Sequence, residues 1–149
     1  MKKSQIRKIL LKKRDAFNIK KKISFQNLLN LLNQETKNNK IGLYFPIGSE
    51  ISTTDLIEDL RKRKYIISLP ALGKNFEMSF YEWDKKGPLN INKFGIPEPM
   101  KSKKIIPSTL IVPLVAFDVN LNRLGYGGGF YDRYINKLEK SRKILKIGI

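Results

Sequence analysis

Residues 123–133 read Arg123-Leu-Gly-Tyr-Gly-Gly-Gly-Phe-Tyr-Asp-Arg133, placing Gly125, Gly127, Gly128 and Gly129 within five positions. An apolar run, 110–117, precedes this block, and an amphipathic segment, 131–140, follows it at once. A glycine loop between strand and helix turns main-chain N–H groups and a helix N-terminus toward an anion. Glycine suits the position because a Cβ would block close approach and disfavour positive φ. The block lacks the Gly-Lys-Ser/Thr ending of a P-loop. It also comes too late for a dinucleotide-binding unit, with no room for the following strand and its ribose-binding carboxylate. Asp118, Arg123, Tyr126, Tyr131, Asp132 and Arg133 crowd around it. A tight turn needs no such set; a site for a phosphate and a flat organic molecule does.

A second group of cations lies near the start of the chain. On a helix over 2–17, Lys3, Arg7 and Arg14 fall within about 40° of one another, beside the apolar face formed by Ile6, Ile9, Leu10 and Phe17. Cations on that flank either reach into a cleft against the domain or snorkel into solvent. The chain has no His and no Cys. Proton transfer must therefore use carboxylates, Lys, Tyr or the substrate, and disulfides and thiol catalysis are excluded. The absence of cysteine also fits a cytoplasmic setting.

The formal net charge is +17, which invites a nucleic-acid reading through counterion release. The lysines are dispersed over 2–22, 61–64, 101–104 and 136–146, however, and are not gathered beside stacking aromatics. A solvated basic surface with one local phosphate site is the preferred reading, and a nucleic-acid partner is not expected. No apolar run approaches the roughly 20 residues of a membrane span, and no signal peptide is read.

The elements that must position these groups alternate. Helices are expected over 2–17, 24–34, 55–64 and 131–140. Strands are expected over 41–47, 65–69, 77–83 (at the sheet's edge) and 110–117, with another beginning at Ile144. Ser52 to Thr54 resemble a helix cap, with Asp55 completing a capping box relative to Ser52. Residues 87–107 should form an ordered loop. The pattern predicts a single α/β domain over 1–149, with a mostly parallel sheet flanked by helices. Ligands of such sheets bind beyond the carboxyl ends of strands, where the loops after Ile47 and Phe117 lie.

With these residues in view, the chain resembles the 5-formyltetrahydrofolate cyclo-ligase (methenyltetrahydrofolate synthetase) family. The resemblance is carried by Ile111-Val-Pro-Leu-Val-Ala-Phe-Asp118 and the glycine block, by Lys3, Ile6, Arg7 and Arg14, by Tyr44-Phe45-Pro46 before Glu50-Ile51-Ser52-Thr53, by Leu69-Pro70, and by Phe94-Gly-Ile-Pro-Glu-Pro99. It implies ATP- and Mg²⁺-dependent cyclisation of 5-formyltetrahydrofolate to 5,10-methenyltetrahydrofolate by a monomeric cytoplasmic enzyme. It further implies that Lys3, Arg7, Arg14, Arg123, Leu124, Gly125, Tyr126, Gly127, Gly128, Gly129, Phe130 and Tyr131 contact ATP. Phe45, Glu50, Tyr126, Phe130 and the same three glycines, Gly127 to Gly129, would contact the folate. Asp132 would ligate Mg²⁺, and Arg123 and Tyr126 would act in catalysis. Residues 94–99 would wall the folate pocket.

Two departures stand out. The family places Gly where this chain has Leu121, so Asn120 or Asn122 is expected to take the positive-φ position. The family pattern also continues past the strand at Ile144 with a Gln, a further metal-associated Asp and a final strand. The chain is therefore read as C-terminally truncated, with the last strand or strands of the fold missing. A catalytically silent remnant and a basic nucleic-acid-associated α/β protein are the alternative readings.

Overall fold

A computed structural model describes residues 2–17, 24–35, 38–85 and 87–149. In chain order the elements are α1 (Lys3–Ala16), α2 (Gln26–Glu35), β1 (Lys40–Gly42), α3 (Thr54–Lys62), β2 (Ile66–Leu72), β3 (Met78–Glu82), β4 (Leu89–Ile91), β5 (Pro97–Pro99), β6 (Lys104–Ile105), β7 (Thr109–Val112), β8 (Ala116–Phe117), β9 (Arg123–Leu124), α4 (Phe130–Glu139) and β10 (Leu145–Gly148). Six strands form one sheet in the order β10-β7-β1-β2-β3-β6. The four from β10 to β2 run parallel, while β3 and β6 are antiparallel to their neighbours. The fold is α/β with a mixed sheet.

Side chains alternate between faces because a strand repeats every two residues. Ile41, Leu43, Ile67, Leu69 and Ile111 enter one core with Leu29 and Leu32 of α2 and Leu56, Ile57 and Leu60 of α3. Met78, Phe80, Leu110 and Val112 face the other way, against Tyr134 and Leu138 of α4. The tight point on that side is Gly42, where a Cβ would lie 2.7 Å from Leu110 Cδ2 and 2.8 Å from Phe80 Cε1. Only glycine lets β1 pass beneath this packing.

Several local expectations are corrected. β3 is not an edge strand, because β6 pairs with it from within the stretch expected to be loop, Phe80 opposite Ile105. That stretch also holds the β4–β5 hairpin, a separate two-stranded sheet. The run 110–117 breaks after Val112, where Pro113 supplies no ladder N–H. Ala116–Phe117 then pairs with Arg123–Leu124 as a hairpin of its own. The capping box at Ser52 does not form. Helix α3 starts at Thr54, preceded by Thr53, which makes no side-chain cap. The Thr53 hydroxyl instead donates to the Tyr44 carbonyl at 2.7 Å, a buried polar group with a stronger claim on it. Finally, Leu121 itself adopts φ 61°. Asp118 anchors the turn on either side of it, accepting from the amides of Asn120 and Asn122 at 2.9 and 2.8 Å.

Candidate active site

The route from β7 to α4 builds the site. After Pro113 the chain leaves the sheet, makes the β8–β9 hairpin, and returns through 125–129 into α4. Gly127 and Gly129 take φ of 108° and 67°, values that carry little strain only for glycine. A Cβ at Gly128 would meet the Phe130 ring at 2.5 Å. Helix α1 docks on this loop through Arg7, whose Nε donates to the Gly125 carbonyl at 2.6 Å.

The loop borders a cavity of about 330 Å³. Lys3, Arg7 and Arg123 supply its cationic rim, and Gly125, Tyr126, Gly127, Gly128 and Gly129 one wall. Leu124, Phe130, Tyr131 and Asp132 also border it. Phe45, Ile47 and Glu50 from the segment after β1 line it too, with Pro70 and Leu72 of β2 and Met78 of β3. An apolar chamber is thus joined to a polar, cationic mouth, the form expected for a ligand with a flat ring and an anionic group.

Glu50 is the acceptor within it. Its Oε2 accepts from the Ile47 amide at 2.9 Å. Burial raises its carboxyl pKa above the ordinary value, opposed in part by hydrogen bonds from Ile47 and Tyr126. Burial, reinforced by the nearby Glu50 charge, pushes the Tyr126 phenol up to about 12. Tyr44 is shifted upward for the same two reasons; its hydroxyl donates to the Ile51 carbonyl at 2.9 Å. These three side chains form a wall shared with a second cavity of about 570 Å³.

Arg14 faces that second cavity and does not border the first. Its Nε donates to Ser49 Oγ at 3.0 Å, its Nη1 to the Leu114 carbonyl at 3.4 Å, and its guanidinium lies 5.5 Å from the Tyr126 ring centre. The shared helical flank separates in space because Lys3 and Arg7 sit at the start of α1, under the glycine loop, while Arg14 lies about two turns farther on.

Asp132, in the first turn of α4, is ion-paired with Arg123. Among the described residues there is no cluster of three or more acidic, His or Cys side chains able to hold a metal ion. The Tyr131 hydroxyl is buried without a hydrogen-bond partner, its ring beside Phe80 and the Arg123 guanidinium. Trp83, to which the sequence gives only a packing role, stands edge-on to Phe45 with ring centres 6.0 Å apart and is capped by Arg61 at 4.5 Å.

The sequence reading missed Asn92. It lines the cavity with Ile96, Pro97 and Glu98 of the β4–β5 hairpin. An Asn opening a Pro- and Gly-rich stretch, free to bond amides two and four residues on, is the signal that could have found it.

A sequence profile of the 5-formyltetrahydrofolate cyclo-ligase family matches residues 1–149. The chain belongs to this family. The 5-formyltetrahydrofolate cyclo-ligase of Haemophilus influenzae is 37% identical over 132 residues, covering 83% of this chain and 69% of that one. Its counterpart from Mycoplasma genitalium is 31% identical over 154 residues, covering 99% and 83%. The NMR structure of Aquifex aeolicus 5,10-methenyltetrahydrofolate synthetase superposes with a TM-score of 0.73 at 31% identity, covering all of this chain and 77% of that one. Family membership makes the chain a ligase by descent. No helix among the described residues is long and apolar enough to cross a membrane.

Proposed function

We propose that the chain cyclises 5-formyltetrahydrofolate to 5,10-methenyltetrahydrofolate with conversion of ATP to ADP and phosphate, as a monomeric cytoplasmic enzyme. The observation that carries this reading is the single cavity on which Lys3, Arg7, Arg123 and the glycine loop meet Glu50 and Phe45. One end suits a triphosphate and the other a pterin. In this reading the formyl oxygen attacks the γ-phosphorus, ADP departs, N10 attacks the activated carbon, and phosphate leaves as the ring closes.

Phosphoryl transfer is largely positioning and charge stabilisation, so a site without His or Cys is adequate. Lys3, Arg7 and Arg123 neutralise phosphate charge, and amides of the loop complete the cradle. The Glu50 carboxylate accepts N–H donors of the pterin, while Phe45 and Phe130 bound its faces. Tyr126, beside Glu50, closes the wall behind the reacting groups and excludes water there.

The donor set allows a magnesium ion in one way. Mg²⁺ is commonly held by one or two carboxylates together with phosphate oxygens and waters. Asp132 is the carboxylate at the cationic mouth, and its Oδ1 is engaged by Arg123, so its other oxygen would be the one to serve. What the ion would supply, held there, is neutralisation of phosphate charge.

The test mixes purified protein, Mg-ATP and 5-formyltetrahydrofolate and follows the near-ultraviolet absorbance of the methenyl product. Stoichiometric appearance of product and ADP is expected. No methenyl signal, with a longer relative active alongside, overturns the assignment for this chain.

A further inference from the structure

The β4–β5 hairpin shares no ladder with the main sheet, yet it lines the same cavity as the glycine loop. It packs on the sheet through β5 against β2 and through Leu89 against the core, and one buried carboxylate adds a hydrogen-bonded tie. Glu98 is 8% exposed, and its Oε1 accepts from the Leu72 amide at the end of β2 at 2.7 Å. The same oxygen accepts from Asn92 Nδ2, also at 2.7 Å. Asn92 Oδ1 in turn accepts from the amides of Phe94 and Ile96 at 2.8 and 3.1 Å. One chain of bonds therefore fixes the hairpin turn, the hairpin strand and the sheet to each other. Leu72, Asn92, Ile96 and Glu98 all line the cavity.

A carboxylate buried at this depth holds its place only while its hydrogen bonds are made. Here those bonds also hold the hairpin that brings Ile96 and Pro97 to the cavity lining and the Phe94 ring centre to 6.3 Å from that of Phe130. A flat ring lying against this lining is sensitive to where the hairpin stands, since a gap of under an ångström forfeits a good part of the dispersion contact.

The geometry points to Asn92 and Glu98 as a positioning pair: a latch that fixes the hairpin lining of the pterin slot and so governs affinity for the folate, without acting on ATP. The inference rests on the folate reading of the cavity. It requires an acceptor oxygen at position 98, not a charge, and the Glu98→Gln variant keeps that oxygen.

Steady-state kinetics on Asn92→Ala, Glu98→Ala and Glu98→Gln test it. The two alanine variants should raise the folate KM about tenfold with the ATP KM changed by no more than about twofold, whereas Glu98→Gln stays within about threefold of wild type. An unchanged folate KM in both alanine variants overturns the latch. So does a Glu98→Gln loss as large as that of Glu98→Ala, because the group would then be acting through its charge.

Amide hydrogen exchange on the ligand-free protein supplies a readout independent of substrate identity. Asn92→Ala should speed exchange not only at Phe94 and Ile96 but also at Leu72, whose bond is to Glu98. A Leu72 amide as protected as in wild type overturns the coupling. If wild type neither binds nor converts the folate, the functional reading fails while the exchange result still decides the latch.

Discussion

The Arg123 guanidinium is ion-paired with the Asp132 carboxylate across the loop that joins β9 to α4, and each has a second task in the proposed chemistry. Asp132 is 68% exposed, so the pair itself contributes less than about 1 kcal/mol to stability. Replacing Asp132 by Asn should leave the melting temperature nearly unchanged. It should raise the magnesium concentration for half-maximal turnover by about tenfold, the effect of losing one charged oxygen ligand. A magnesium titration decides this, and an unshifted midpoint would assign the carboxylate to Arg123 alone.

Glu50 predicts a pH dependence. Burial raises its folded-state pKa above the ordinary value of 4.5, so the folded chain binds this proton more tightly than the unfolded one. Its contribution to stability is fully present below about pH 4.5 and is lost as pH rises through the raised folded value. Folate binding follows the opposite trend, because the ionised form is the better acceptor for pterin N–H donors. In denaturant melts across this window, Glu50→Gln should lose, relative to wild type, the fall of stability with rising pH that Glu50 contributes, the trends of carboxylates such as Glu58 and Asp118 remaining. Its folate affinity should be reduced and should no longer rise with ionisation of this group. A wild-type folate affinity that is flat with pH would remove the role.

Arg14 offers a contrast between position in sequence and position in space. It braces Tyr126, Ser49 and Leu114 behind the shared wall. Arg14→Ala should therefore raise the folate KM several-fold, about 1 kcal/mol for the lost charge-assisted bonds, and spare ATP affinity. A selective loss of ATP affinity would return Arg14 to the phosphates.

Leu121 combines positive φ with 80% exposure. Substitution by Gly removes the steric cost of that conformation and gives up almost no burial. Leu121→Gly should stabilise the protein by about 1 kcal/mol, visible as a higher melting temperature. A lower one would mean that the side chain is held by something other than this turn.

The strands near Ile41, Ile67 and Leu110 and the four helices were legible because a buried parallel strand and an amphipathic helix write their period directly into the sequence. The glycine loop was legible because few settings besides an anion cradle call for so many bare amides. What escaped depended on partners distant in the chain. Thr53 abandons its helix for Tyr44, which no local pattern encodes. β6 is two residues long and exists only because β3 offers it an edge. Asn92 and Glu98 look like loop polarity until Leu72, from the separate six-stranded sheet, supplies the third member of their network. Leu121 broke the expectation that Asn would take the left-handed position, since Asp118 fixes the turn from both sides and leaves the central residue to comply.

Helix α1 buries none of its residues completely, and its polar attachments to the body include Arg7 on Gly125 and Arg14 on Ser49 and Leu114. The cation that fastens this arm to the glycine loop is thus the one expected to greet the incoming nucleotide. Arg7 commits its Nε to the Gly125 main-chain oxygen, which leaves the Nη donors of the same planar guanidinium to meet a phosphate. Docking of the arm and occupancy of the mouth would therefore be coupled through one side chain, an anion on the Nη end holding the arm more firmly in place.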